Sequence, residues 1–260
     1  MQARLQRRIR QPVRCMRGML ENRQGQHSVL ALAHDHVYHD EQKVEAPLFI
    51  WEKPVMPIDS MVMFRPPSDT SQSIMVLDLC ESSAMANRDE VMAVHLRRRV
   101  EQLSTPMLQN NRASFIKNTG DGFLATFPDI DCAARAAKTI LATLDKRNRR
   151  TVNPPIYVRI ALHYGKTYTV PDAGQLEVYG NDVNIAFRLE QLQRDAIPSC
   201  ETDFPEVNRI LCSERFVTEL RKHELSSDLQ FVFCGSAHLR GIKDPIDVFW
   251  VKTAADGPVD

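Results

Sequence analysis

The sequence has no net charge, no paired-cysteine motif and no long apolar run, and each absence removes a class of protein. Lysine plus arginine equal aspartate plus glutamate at 33 each, so no global field draws the chain to nucleic acid or to an anionic membrane. Any such binding has to be local. The six cysteines (Cys15, Cys80, Cys132, Cys200, Cys212, Cys234) are scattered without a C-x-x-C pair, and no secretory signal precedes them. The expectation is reduced, buried thiols in a cytoplasmic protein. No stretch approaches the roughly 18 apolar residues of a membrane-spanning helix, which leaves a soluble chain with no membrane partner. What is present, 43% hydrophobic and 25% charged residues among 260, suits one substantial core plus an appendage.

Residues 1–72 stand apart as a basic, partly irregular extension. Arg4, Arg7, Arg8, Arg10, Arg14, Arg17 and Arg23 are met by a single acid, Glu21, a pattern that fits a loosely docked leader or an arm for an anionic surface. His34-Asp35-His36-Val37-Tyr38-His39-Asp40 has residue types that suit zinc. No cysteine or further histidine falls at a structural-site spacing, however, and a polar surface turn explains the run as well. Pro66 to Ser71 is a loop of turn formers, so the main domain is expected over residues 73–252, with a tail over 253–260.

Within that domain Ile74-Met75-Val76-Leu77 reads as a buried strand, and Asn87 to Gln109 as a helix. Lys117-Asn118-Thr119-Gly120-Asp121-Gly122 lies between two apolar runs, Ser114–Ile116 and Phe123–Phe127, and reads as a hairpin turn. Asp129 to Leu144 is an alanine-rich helix, Ile156 to His163 a strand with one buried face, and Asp182 to Gln193 a third helix. A strand at Arg209–Cys212, a helix at Ser213–Leu220 and late strands at Phe231–Cys234 and Val248–Val251 follow. The order βαββαβ plus further αββ elements predicts an α+β, ferredoxin-like sandwich with helices on one face of an antiparallel sheet.

In such a sheet Asp78, at the end of the first strand, and Asp121, at the hairpin turn, can be adjacent. Two carboxylates there suit hard cations, Mg²⁺ or Mn²⁺, and a pair of such ions is the usual device for in-line displacement at phosphorus. Taken singly, Asp78 reads equally well as a helix cap and Asp121 as a turn residue. Asn184 and Arg188 lie one helical turn apart on one face, where an amide and a guanidinium can hold a ribose oxygen and phosphoryl charge, or be merely exposed.

Three segments together resemble the catalytic domain of class III nucleotidyl cyclases: Phe115 to Phe127, Val158 to Gly165, and Tyr179 to Glu190. The closing Leu239 to Phe249 is similar to that family's last strand pair. The resemblance implies that Asp78 and Asp121, with the Leu79 carbonyl, hold two Mg²⁺ or Mn²⁺ ions. It implies that Lys117 and Glu177 read the base, Asn184 orients the ribose and Arg188 stabilises the transition state. Ser82, Ser83 and Arg240 would contact the triphosphate. It further implies a head-to-tail homodimer with active sites at the interface, and conversion of a nucleoside triphosphate to a 3′,5′-cyclic nucleotide and pyrophosphate.

Two residues depart from the family pattern. Glu81 stands where a glycine usually follows the first metal strand, putting a carboxylate and a Cβ near the phosphate turn. Glu177 replaces the usual aspartate of adenylate cyclases. A lysine donor with a carboxylate acceptor fits adenine, cytosine and uracil alike, so ATP is favoured on family numbers. UTP or CTP, as in the similar pyrimidine cyclases of bacterial anti-phage signalling, is the alternative. A non-catalytic nucleotide-binding module is a further reading, supported by Glu81. A diguanylate cyclase shares the hairpin, but its paired-glycine signature is missing here.

Overall fold

The structure, a computed structural model, describes residues 19–21, 27–29, 69–172, 175–197, 200, 202–223 and 229–253. The chain divides into two compact units, Met1–Ser60 and Met61–Asp260. In the first, β1 (Met19–Glu21) and β2 (His27–Val29) form an antiparallel pair. The arginine-rich segments around them and the His34–Asp40 run lie outside the described residues.

The second unit opens with β3 (Asp69–Leu79), which begins inside the expected Pro66–Ser71 loop. Ile74 to Leu77 are no more than 1% exposed, because both faces of the strand are covered and a continuous apolar run is what such a strand requires. Two helices, α1 (Ser82–Arg88) and α2 (Glu90–Asn110), replace the single one expected from Asn87. Asp89 causes the break: its extended backbone ends α1, and its carboxylate accepts from the Met92 N–H at 2.9 Å to cap α2. β4 (Phe115–Asn118) and β5 (Phe123–Phe127) make the expected hairpin. α3 (Ile130–Arg150) runs past Leu144, and buried Ala133, Ala134, Ala136 and Ala137 let it approach the sheet closely.

β6 (Val158–Asp172) continues well beyond His163, where sequence alternation stops, because β3 pairs with it from Leu79↔Val158 to Asp69↔Tyr168. β7 (Gln175–Tyr179), which the sequence pattern did not disclose, folds back on the far end of β6. α4 (Asn181–Glu190), β8 (Arg209–Ser213), α5 (Glu214–Leu220), β9 (Gln230–Ala237) and β10 (Ile246–Lys252) complete the unit. The sheet order is β4-β5-β3-β6-β8-β10-β9, with β7 on β6. Its β6-β3-β5-β4 portion is the ferredoxin-like arrangement of a βαββαβ unit. The pair β6 and β8 is parallel, and the other pairs are antiparallel.

Leu77, Leu79, Ile160 and Ile210 join the core with residues of α2, α3 and α5. Ile74, Val76 and Leu124 pack instead against Val183 and Ala186 of α4. The helices therefore lie on both faces, not one, since α4 carries its own apolar stripe. Strand alternation then sends Asp78, between Leu77 and Leu79, to the α4 side, and Arg159, between Val158 and Ile160, with it. Among the described residues no helix is long and apolar enough to cross a membrane.

Candidate active site

The hairpin turn is pressed against the end of β3. Leu77 is the register partner of Phe123, so Asp78 falls opposite Gly122. A Cβ on Gly122 would lie 1.8 Å from the Leu77 carbonyl oxygen, and only glycine permits that approach. Asp121 is thereby set beside Asp78, and the Ser82 hydroxyl donates to Asp121 Oδ2. Burial raises the Asp78 carboxyl above the usual range; Arg159 opposes the rise and the negative charge of Asp121 adds to it.

Two crowded carboxylates are a hard-oxygen donor set. Among the described residues no group of three or more His, Cys, Asp or Glu side chains could hold a metal ion. Any cation held at this corner would have to take its remaining ligands from backbone, water or substrate, which is the habit of Mg²⁺ and Mn²⁺ at phosphates. Leu79 is the buried last residue of β3. Glu81 occupies the left-handed region at φ 58°, so the place where the family pattern has glycine does need glycine-like backbone geometry. Burial pushes the Cys80 thiol between them up to about 11, which disfavours its thiolate.

A cleft of about 360 Å³ opens where the hairpin meets β7 and α4, lined by Lys117, Leu124, Glu177, Val183, Asn184 and Phe187 among others. Lys117 Nζ is 2.6 Å from Glu177 Oε2, and β7 supplies the carboxylate through its pairing with β6. Arg188 is exposed one turn beyond Asn184 on α4. Asp78, Asp121, Ser82, Ser83, Arg188 and Arg240 do not line this cleft. Arg240 sits exposed in the β9–β10 turn, at the opposite edge of the sheet from β4.

No protein-family model matches the sequence, and no curated protein does. Solved structures do match. An adenylate/guanylate cyclase/hydrolase from Silicibacter pomeroyi is 23% identical with a TM-score of 0.57, over 71% of this chain and 97% of that one. Adenylate cyclases from Trypanosoma brucei, in their monomeric state, match at 15% identity and a TM-score of 0.57 over 70% and 89%. The guanylate cyclase domain of RhGC from Catenaria anguillulae, in complex with GTP, matches at 14% and 0.57 over 71% and 98%. The chain has the class III nucleotidyl cyclase fold.

Within this cyclase fold, the sequence reading missed a buried charge cluster under α4. Arg159 Nε donates to Glu190 Oε1 at 2.7 Å, and its NH2 group reaches Asp78 Oδ2 at 3.4 Å. Burial lifts the Glu190 carboxyl; Arg159 opposes this and Asp78 reinforces it, leaving a net rise. The neighbouring Arg209 is fully buried and donates to the Glu190 and Leu192 carbonyls and to Glu206, with its guanidinium 5.3 Å from the Phe204 ring. These bonds hold the carboxyl end of α4 to β6 and β8. The one available signal was Arg159 itself, a charge in a strand whose neighbours are all apolar. Alternation alone assigns such a residue to solvent.

Proposed function

We propose that this chain is a nucleotidyl cyclase, converting a nucleoside triphosphate to its 3′,5′-cyclic nucleotide and pyrophosphate. The observation that carries the reading is the division of one cyclase-type residue set into two patches: a carboxylate corner at Asp78 and Asp121, and a cleft with Lys117, Glu177 and Asn184. Neither patch suffices alone. A head-to-tail homodimer would set the corner of one protomer against the cleft of its partner, completing two sites.

In that assembly Lys117 donates to a base acceptor and Glu177 accepts from a base N–H, which requires their mutual 2.6 Å contact to open around the base edge. Asn184 holds the ribose, and the Arg188 guanidinium faces the charge that grows on the α-phosphate. Ser82, Ser83 and Arg240 bind the triphosphate. Asp78 and Asp121, with the Leu79 carbonyl, would hold Mg²⁺ or Mn²⁺. Such ions, when bound, supply activation of the ribose 3′-oxygen and neutralisation of the departing pyrophosphate.

ATP is the first substrate reading. UTP or CTP is the second, favoured by the length of Glu177, one methylene longer than aspartate, which lines the cleft and suits a smaller ring. Incubation of the purified protein with Mn²⁺ and each of the four triphosphates tests both readings. A cyclic product from one of them is expected, and no cyclic product from any of them overturns the proposal.

A further inference from the structure

One titratable cluster lies outside both patches and is centred on fully buried groups. His163, in β6, is fully buried; its Nδ1 is 2.7 Å from Ser213 Oγ and its Nε2 is 3.1 Å from Asp182 Oδ1. Serine, histidine and carboxylate are the components of a hydrolytic triad. Here Ser213 is itself fully buried, and its Oγ accepts from the Phe216 N–H at 3.3 Å as the cap of α5, so no substrate reaches it. The cluster instead ties elements together.

Asp182 stands in the first turn of α4, whose start has no capping side chain of its own. Its Oδ2 accepts from the Lys166 N–H at 2.7 Å, and its Oδ1 also accepts from Arg215 at 3.1 Å. The fit is close on both sides of it. A Cβ on Gly165 would lie 2.3 Å from the Asp182 carboxyl carbon, and one on Gly180 would lie 2.8 Å from the Lys166 carbonyl oxygen. A carboxylate at a helix N-terminus is also favoured by the helix dipole. β6 and α5 thus converge directly on one carboxylate, and β8 through His163, two residues before Asn184 on the same helix.

We propose that Asp182, gripped by His163 and the Lys166 amide, is a positioning residue that sets where α4 begins and so where Asn184 and Arg188 meet the nucleotide. The inference rests on the cyclase reading of the cleft. The other end of α4 is held independently by Arg209 and by the Glu190–Arg159 pair, so loss of Asp182 lets the Asn184 end shift while the helix stays docked. A displacement on the order of 1 Å costs about 100-fold in rate.

The test compares Asp182→Ala and Asp182→Asn with wild type for kcat and KM on the triphosphate that wild type turns over. Affinity for a non-reactive analogue of that triphosphate is measured by calorimetry. Asparagine can still accept from the Lys166 amide and can meet the other imidazole tautomer, so it restores most of the geometry that alanine loses. The expected result is a kcat lowered about 100-fold in Asp182→Ala and about tenfold in Asp182→Asn, with KM and analogue affinity within about threefold of wild type. Should the alanine variant not fold, the asparagine variant decides by the same criterion. A kcat within twofold of wild type in folded protein, whatever the melting temperature, overturns the inference, as does an effect confined to KM. Silent variants of an active wild type sink this inference alone. An inactive wild type sinks the cyclase reading and this inference with it.

Discussion

Lys117 and Asp121 are four residues apart on one hairpin, yet they engage different partners: Lys117 bonds Glu177 in the cleft, and Asp121 receives the Ser82 hydroxyl beside Asp78. A single turn therefore feeds two separate patches. If each patch completes a different site of a dimer, Asp121→Ala and Arg188→Ala should each lower turnover by at least about 100-fold, and mixing them should restore activity. Random pairing gives half heterodimers with one intact site each, so recovery to about a quarter of wild type is expected in a turnover assay of the re-equilibrated mixture. A mixture no better than its components would rule the arrangement out.

The seam at Gly122 should be intolerant of any side chain. Gly122→Ala has to force the turn off the Leu77 carbonyl, 1.8 Å from the new Cβ. A loss of about 2 kcal/mol or more in urea unfolding is expected, together with loss of Mn²⁺-dependent thermal stabilisation as Asp121 leaves Asp78. Unchanged stability would show that the seam is looser than described.

Glu81→Gly separates strain from charge. Relief of the left-handed backbone gains about 1–2 kcal/mol, and the freer unfolded glycine offsets about 0.5–1 of it, so a net gain of about 0–1.5 kcal/mol in urea unfolding is expected. The lost carboxylate should tighten triphosphate binding, seen as a lower KM. A raised KM would mean that Glu81 assists the substrate rather than repelling it.

Removing Glu190 leaves Arg159 in a largely enclosed place with only Asp78 for company. Glu190→Ala should cost about 3 kcal/mol in denaturant unfolding, the usual result of breaking a buried pair from one side. A cost below about 1 kcal/mol would indicate that water reaches the guanidinium.

The Asp182 carboxyl has a definite pH signature. Burial pushes it up, but the hydrogen bond from His163, the Lys166 N–H and the Arg215 charge outweigh burial and hold it below its ordinary value. A depressed folded-state value adds stability that is present above the unfolded value of about 3.9 and is lost as pH falls through the lower folded one. Melting temperatures of wild type and Asp182→Asn should therefore be furthest apart above about pH 4 and converge below it. A gap that widens on acidification would reverse the sign of this argument.

Much of the fold was legible because its signals are local. The Asn118–Gly122 turn between apolar runs announced β4 and β5, and Asp129 announced α3. Two features were hidden for physical reasons. β7 is only five residues long, too short for its alternation to stand out, and takes its strand character from pairing with β6, which no short window of sequence contains. The charge cluster of Arg159, Glu190 and Arg209 was invisible because burial of a charge depends on partners brought from three separate elements. The break at Asp89 was legible in principle, since an aspartate three residues before Met92 is an ordinary cap.

The tight approach of Gly122 to Leu77 also says where the two duties of the hairpin can come apart. Residues added between Asp121 and Gly122 would lengthen the tip while leaving Gly122 seated on Leu77 and the Lys117↔Leu124 register unaltered, so the lysine would keep its place by the cleft while the aspartate moved off its neighbour. On the cyclase reading proposed above, a chain altered in that way would still read a base and no longer gather cations. The length of one turn, rather than the identity of any side chain in it, would then distinguish an enzyme from a receptor for the same ligand.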